Sequence, residues 1–384
     1  MNNSTKAFDV FKKILKWFFI ILGVIQFIQI VFSLLFFGVI KLPFSTVHDA
    51  PAKEQFYVSG FSPDSKMLYM EFADTARNVR IGRMDLSTQK VSLFVPQDTQ
   101  NQLASPRSSA DGKQLAIVIK EAVNNFETSQ IGVLDLDSNT YRAITRSNTY
   151  KQFPSFSKDG KKIIYAQSNR IRESGKTRFS EWDIYETEVN TGTERRLTSF
   201  CFFAVSDPFY LNEGEKFVFS GEPSFCNYPV KGRAQDGTDN RRNYLTQYQG
   251  NIIFMMGGDE TRLKPFLMNG ADSHGSILTQ DGKIFFVSRT NEMDGIKCCN
   301  YNYDIFVYES GVIKRLTNLK TLLTGLVVSP RGDLAAYISD PLRNRSRENW
   351  MMDVNNGTHS QINIGDSKSF QVINLVKQLN GENK

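Results

Sequence analysis

One hydrophobic and polar pattern recurs six times along this chain. A short apolar approach leads into a turn built on Asp-Gly or a close variant, and an alternating strand follows. The copies read FSPDSKMLYMEF (61–72), SSADGKQLAIVI (108–119), FSKDGKKIIYAQ (156–167), YLNEGEKFVFSG (210–221), LTQDGKIFFVSR (278–289) and VSPRGDLAAYIS (328–339). The aligned turn residues Asp64, Asp111, Asp159, Glu213, Asp281 and Arg331 are separated by 47, 48, 54, 68 and 50 positions. Asp-Gly suits a tight hairpin, because Gly accepts positive φ and Asp bonds to nearby backbone NH groups. Ser65 replaces that Gly in the first copy, and Arg331 replaces the Asp in the last.

A second element follows each turn: IGRMDLSTQKVSLFV (81–95), IGVLDLDSNTYRAIT (131–145), WDIYETEVNTGTERRLT (182–198), YDIFVYESGVIKRLT (303–317) and WMMDVNNGTHSQINI (350–364). These are two strands joined by a polar turn. NIIFMMGGDETRLKPFL (251–267) fills the place of the degenerate fourth copy. Each period thus holds four short strands, and six periods predict an all-β fold: a six-bladed β-propeller of four-stranded antiparallel blades. Residues 54–59 supply the innermost strand of the first blade. In the segment 368–379, Phe370, Ile373, Val376 and Leu379 fall at helical spacing, whereas Phe-Gln-Val-Ile suits a short closing strand; the helical reading is adopted here.

The motifs resemble the TolB-like β-propeller repeat, above all in Phe156 to Lys161 and in Asp183 to Thr198, and the resemblance covers about 56–364. It implies the fold and leaves function open, because the repeat serves envelope proteins and the propellers of prolyl-oligopeptidase-type enzymes alike. TolB carries an α/β domain ahead of its propeller. Here a transmembrane α-helix takes that place, so the Tol–Pal role is not carried over.

That helix is residues 17–40, WFFIILGVIQFIQIVFSLLFFGVI, 24 residues without a charge. Such a run is long enough to span a bilayer. Lys12, Lys13 and Lys16 precede it, which places residues 1–16 in the cytoplasm and the propeller outside, in the periplasm if the source is bacterial. Ala50-Pro51-Ala52 resembles a signal-peptidase site. However, the apolar run is too long for a signal peptide and ends well before it, so an uncleaved anchor is expected. The expected organisation is therefore 1–16 cytoplasmic, 17–40 transmembrane, 41–55 linker, 56–364 propeller and 365–384 a C-terminal tail. The net charge is +6, and Lys6, Lys12, Lys13 and Lys16 against Asp9 account for half of it. The remainder is too weakly basic for a nucleic-acid binder.

Propeller topology puts the first-to-second and third-to-fourth turns at one end and the second-to-third loops at the other. Those loops fall near 73–78, 121–130, 168–181, 222–249, 289–303 and 340–348, and their varied length marks a binding end. Candidate partner-binding residues there are Arg170, Arg172 and Arg178 (with Lys176) in the third blade. The fourth supplies Phe225, Tyr228, Arg233, Arg241, Arg242 and Tyr244 (with Lys231), and the sixth Arg343, Arg345 and Arg347. Arg with aromatic residues is the composition favoured at protein interfaces, although interspersed acidic residues also suit a solvated surface.

Cys201, Cys226, Cys298 and Cys299 permit three full pairings in an oxidising compartment. Cys201–Cys226 is the local pairing, and Cys226 with Cys298 or Cys299 would staple two loops. Adjacent cysteines chelate zinc badly and no C-x-x-C occurs, so no metal is expected. Asp236, Asp239 and Asn240 in QDGTDN lack a full calcium-loop signature. Asn344 and Asn356 head short glycosylation-type triplets. Catalytic signals are thin: no G-x-S-x-G elbow occurs, and the sequence neighbours Asp272, Ser273 and His274 rarely have triad geometry. No cofactor is expected.

The expected function is non-catalytic: a membrane-anchored scaffold presenting its long-loop end to an envelope or membrane protein. A small-ligand or saccharide site over the central channel, in a sensor or enzyme, is the alternative, and clustered inward carboxylates would favour it. A third reading is an accessory propeller subunit of a separate hydrolase.

Overall fold

The computed structural model describes residues 54–97, 101–121, 128–171, 179–202, 204–211, 216–222, 252–257, 264–267, 272–290, 302–340, 347–365 and 367–378. The expected anchor at 17–40 lies outside them. Among the described residues, no helix is long and apolar enough to cross a membrane.

The described chain is almost wholly strand. The first antiparallel quartet is β1 (Gln55–Phe61), β2 (Met67–Ala73), β3 (Val79–Asp85) and β4 (Val91–Pro96). The second is β5 (Asn101–Ser108), β6 (Gln114–Glu121), β7 (Ser129–Asp135) and β8 (Thr140–Ala143). The third comprises β9 (Tyr150–Phe156), β10 (Lys162–Ile171), β11 (Phe179–Glu188) and β12 (Glu194–Arg196). In the fourth, β13 (Ala204–Leu211) and β14 (Lys216–Glu222) are followed by β15 (Ile252–Gly257) and β16 (Lys264–Leu267). The fifth runs β17 (Ser273–Leu278), β18 (Ile284–Arg289), β19 (Tyr303–Glu309) and β20 (Val312–Arg315). The sixth is β21 (Leu322–Val328), β22 (Leu334–Asp340), β23 (Glu348–Asp353) and β24 (His359–Gln361).

The last four quartets are separate four-stranded sheets. The first two belong to one nine-stranded sheet, in which β25 (Gln371–Lys377) lies between β4 and β8, parallel to both. This corrects the helical reading of the C-terminal segment. Only Leu375 and, in part, Ile373 pack into the core from β25, while Val372 and Val376 face out. With apolar residues on both faces, the sequence shows no strand alternation.

Asp-Gly turns form because a side chain replaces backbone partners there. Ser62, Ser109 and Ser157 donate to Asp64, Asp111 and Asp159 at 2.6, 2.6 and 2.7 Å. The same hydroxyls accept the NH of Met67, Gln114 and Lys162. Gly112, Gly160, Gly282 and Gly332 have φ of 74, 70, 85 and 73°, and Ser65 bears the same left-handed geometry at 60°.

Hydrophobic burial is shared between quartets. Each of six core clusters joins consecutive quartets, and one of them joins the sixth to the first through Val327, Ala336 and Ile338 against Val58, Phe61 and Met70. The first strands pack in cyclic order, β1 against β5 and so on to β21, which returns to β1. The architecture is all-β and propeller-like.

Candidate functional site

The first strands place polar groups at the centre of this packing. Every one carries a register irregularity against its neighbour. Four bulges centre on a left-handed residue: Ser105, Phe153, Asp207 and Gly275, with φ of 50, 55, 48 and 66°. In three of them proline follows, as Ser105-Pro106, Phe153-Pro154 and Asp207-Pro208. That repeated dipeptide is a signal the sequence reading passed over. The bulges have a consequence for charge. Arg107 of β5 donates to the Asp207 carboxylate of β13 at 3.3 Å, although β9 stands between these strands in the packing order. Gly60 of β1 lies beside the guanidinium, where a Cβ would make an ordinary contact at 3.7 Å. Glu71 of β2 accepts from the Ser105 NH at 2.7 Å and from its hydroxyl at 3.1 Å.

A second polar group repeats on the third strand. Asp183 of β11 is fully buried and accepts from the Arg196 guanidinium, from the Thr198 hydroxyl at 2.7 Å and from the Phe200 NH at 2.7 Å. Burial pushes its carboxyl pKa up, and Arg196 opposes that shift. Asp304 of β19 repeats the set with Arg315 at 2.6 Å, Thr317 at 2.8 Å and the Leu319 NH at 2.6 Å. In the second quartet Gln130 takes the Asp position and Ala143 the Arg position, while Thr145 is retained. The missing cation comes from the next quartet. Lys151 of β9 is fully buried and donates to the Ser147 carbonyl at 2.7 Å, and to the Ser129 carbonyl and Gln130 Oε1 at 3.3 Å each. Burial lowers its pKa to about 8, partly offset by Glu194.

In the fifth quartet, the Tyr303 hydroxyl donates to Asp272 at 2.7 Å, and His274 meets the Tyr303 ring edge-on at 5.3 Å. Ser273 pairs with the Ser288 hydroxyl at 2.9 Å. Asp272 and His274 thus share Tyr303 as a neighbour, while Ser273 is turned to Ser288. Glu222, at the end of β14, has its pKa raised by burial and by the Asp272 charge.

Of the sequence candidates, Arg347 is exposed and lies over the Tyr57 ring at 5.2 Å, which joins the sixth quartet to the first. Arg170 is in β10, its backbone paired with Ser180. Arg172, Arg178, Phe225, Tyr228, Arg233, Arg241, Arg242, Tyr244, Arg343 and Arg345 lie outside the described residues, as do Lys176, Lys231 and the segment QDGTDN. Cys201 is buried with φ of 54°, and its NH donates to Asp183 at 3.3 Å. Cys226, Cys298 and Cys299 lie outside the described residues. Among those described, no group of three His, Cys, Asp or Glu side chains is placed to hold a metal.

Cyclically packed quartets with Ser-x-Asp turns resemble the TolB-like β-propellers. Among solved structures, the chain is similar to TolB from Acinetobacter baumannii, with a TM-score of 0.53 and 18% identity over 78% of this chain. It spans 61% of that protein's length. It is also similar to an oligogalacturonate lyase in complex with manganese, with a TM-score of 0.51, 13% identity and coverage of 80% of this chain and 77% of the other. An oligogalacturonate lyase from Vibrio parahaemolyticus gives a TM-score of 0.50, 12% identity and coverage of 80% and 76%. At these identities the likeness defines the fold. No family model and no curated protein matches the sequence.

Proposed function

We propose that this chain is a six-bladed propeller of four-stranded blades, held at a membrane by residues 17–40. It acts there as a non-catalytic scaffold for an envelope or membrane protein. Each quartet is read as one blade, and β25 is a strand added between the first two. The observation that carries the reading is Arg107 reaching Asp207 past an intervening blade. That ion pair narrows the ring at its own level, and this reading assigns binding to the loops at the end of the ring. Those loops are displayed on a rigid frame, and tethering would raise the local concentration of a partner confined to the same membrane.

A lysine-reactive crosslinker applied to cells holding the full-length protein tests this at Lys176 and Lys231. The expected result is one recurrent envelope protein linked to these loops. A folded sample with no recurrent partner would overturn the scaffold reading.

A second reading rests on the Glu222–Asp272 pair. Burial and the neighbouring Asp272 charge raise the Glu222 carboxyl pKa above its ordinary value. Two neighbouring carboxylates, one of them partly desolvated, suit a small polar ligand at the mouth of the ring. Loss of saccharide binding on Glu222→Gln in the full-length protein, with crosslinking unchanged, would favour this reading.

A further inference from the structure

Every quartet is complete without β25. The strand enters a sheet whose other pairings are antiparallel, and it lies parallel to both neighbours. Gln371–Leu375 pair with Ser92–Pro96, and Val376–Lys377 pair with Thr140–Tyr141. Its hold is largely main-chain. The Gln97 NH donates to the Leu375 carbonyl at 3.0 Å, the Val376 NH to the Asn139 carbonyl at 3.1 Å and the Gln378 NH to the Tyr141 carbonyl at 2.8 Å. Main-chain pairing gives affinity without demanding a sequence, and one pocket, filled by Leu375, sets the register. Val372 and Val376 are 57% and 47% exposed, two of the three large hydrophobic side chains exposed among the described residues.

The approach to this strand is a strap that leaves the sheet after Ile362, whose NH donates to the Asn349 carbonyl at 2.8 Å. It follows β24, passes Gly365, around which a Cβ would meet nothing, and sets Phe370 against Phe56 and Phe72 at 5.9 and 6.2 Å. Once Phe370 and the strap leave this junction, β25 can make the same contacts on another copy of the chain.

We infer that the slot between β4 and β8 is a strand-acceptor site, and that its second occupant is the β25 of another copy. Two chains would then fill each other's slots reciprocally. The closed form holds its own strand at an effective concentration on the order of millimolar, so exchange grows with protein concentration.

The test uses two full-length chains with different tags, one carrying Asn374→Cys and the other Val95→Cys. These positions face each other in the ladder, within the reach of a disulfide. A single chain carrying both substitutions is the control, and it should close its own disulfide. Near millimolar protein, the mixed pair is expected to form an inter-chain disulfide, and tenfold dilution should cut its yield several-fold. Adding Leu375→Asp to the Asn374→Cys chain should abolish it. Closure in the control with no mixed product at high concentration would overturn the inference. So would a yield matched by a chain carrying Thr88→Cys, which lies away from the slot. Capture of an unrelated protein by Asn374→Cys, without exchange between copies, would assign the slot to another donor and overturn the second-copy occupant.

Discussion

Lys151 shows how one residue change in a repeat is answered elsewhere. The residue before Ile131, Ile184 and Ile305 is Gln130, Asp183 and Asp304, and the NH of each Ile donates to Thr145, Thr198 and Thr317 at 2.9 Å. Where the acid is Asp, an Arg two residues before the Thr neutralises it. Where the position is Gln, the Arg becomes Ala143 and a lysine from the next quartet fills the space. An ammonium facing uncharged acceptors keeps the burial cost, which accounts for a pKa of about 8. Between that value and the ordinary 10.5, the unfolded chain holds a proton that the folded chain has lost, so stability rises with pH across this window. The full gain is ~3 kcal/mol, from 1.36 kcal/mol per pH step. Lys151→Met removes the titration and orphans three acceptors, lowering stability at pH 7.5 by ~1–3 kcal/mol. Urea midpoints of both proteins should therefore lie further apart at pH 9.5 than at pH 7.5. A gap that stays constant or narrows would show that Lys151 is not buried with its charge.

At the scale of elements, the Asp–Arg–Thr set locks the third strand to the fourth and to the link that follows. Its fourth strands are short: β12 has 3 residues and β20 has 4. Few ladder bonds hold such strands, so the buried carboxylate gathers what the ladder lacks. Replacing Asp183 or Asp304 by Ala leaves Arg196 or Arg315 without its counter-charge and should cost ~3–5 kcal/mol. A loss below ~1 kcal/mol in chemical denaturation would reduce the set to a surface ion pair. Much at this scale was legible in the sequence. The Asp-Gly turns placed all six first hairpins, and Asp183 to Thr198 showed a strand pair. The clamp was not read from that pair, because its partners meet only once the strands are in register. Arg107 and Asp207 are 100 residues apart and gave no local signal. Most loop candidates fall outside the described residues, and Arg347 lies exposed over the Tyr57 ring.

For the whole molecule, the informative junction is between the sixth quartet and the first. Each quartet is built from consecutive strands, so no strand from the start of the chain completes the last sheet. Closure rests on side-chain packing instead. Ile338 sits in the cluster with Val58, Phe61 and Met70, and Gly325 makes room for it, since a Cβ there would approach the Ile338 side chain to 3.0 Å. The Asn349 side-chain amide donates to the Phe56 carbonyl at 3.0 Å, and the C-terminal strap crosses the same junction through Ile362, Ile364 and Phe370. A ring closed by packing transmits a defect at the junction to every interface, because opening one joint relaxes the neighbours on both sides. Ile338→Ala should cost ~2–5 kcal/mol, and the loss should be felt far from the mutation. Trp350 reports on the sixth quartet and Trp182 on the third. With the other tryptophans replaced by Phe, both signals should move to the same lower urea midpoint in the Ile338→Ala background. If the Trp350 signal melts first and Trp182 keeps its original midpoint, the sixth quartet opens as an independent flap and packing does not make the ring one cooperative body.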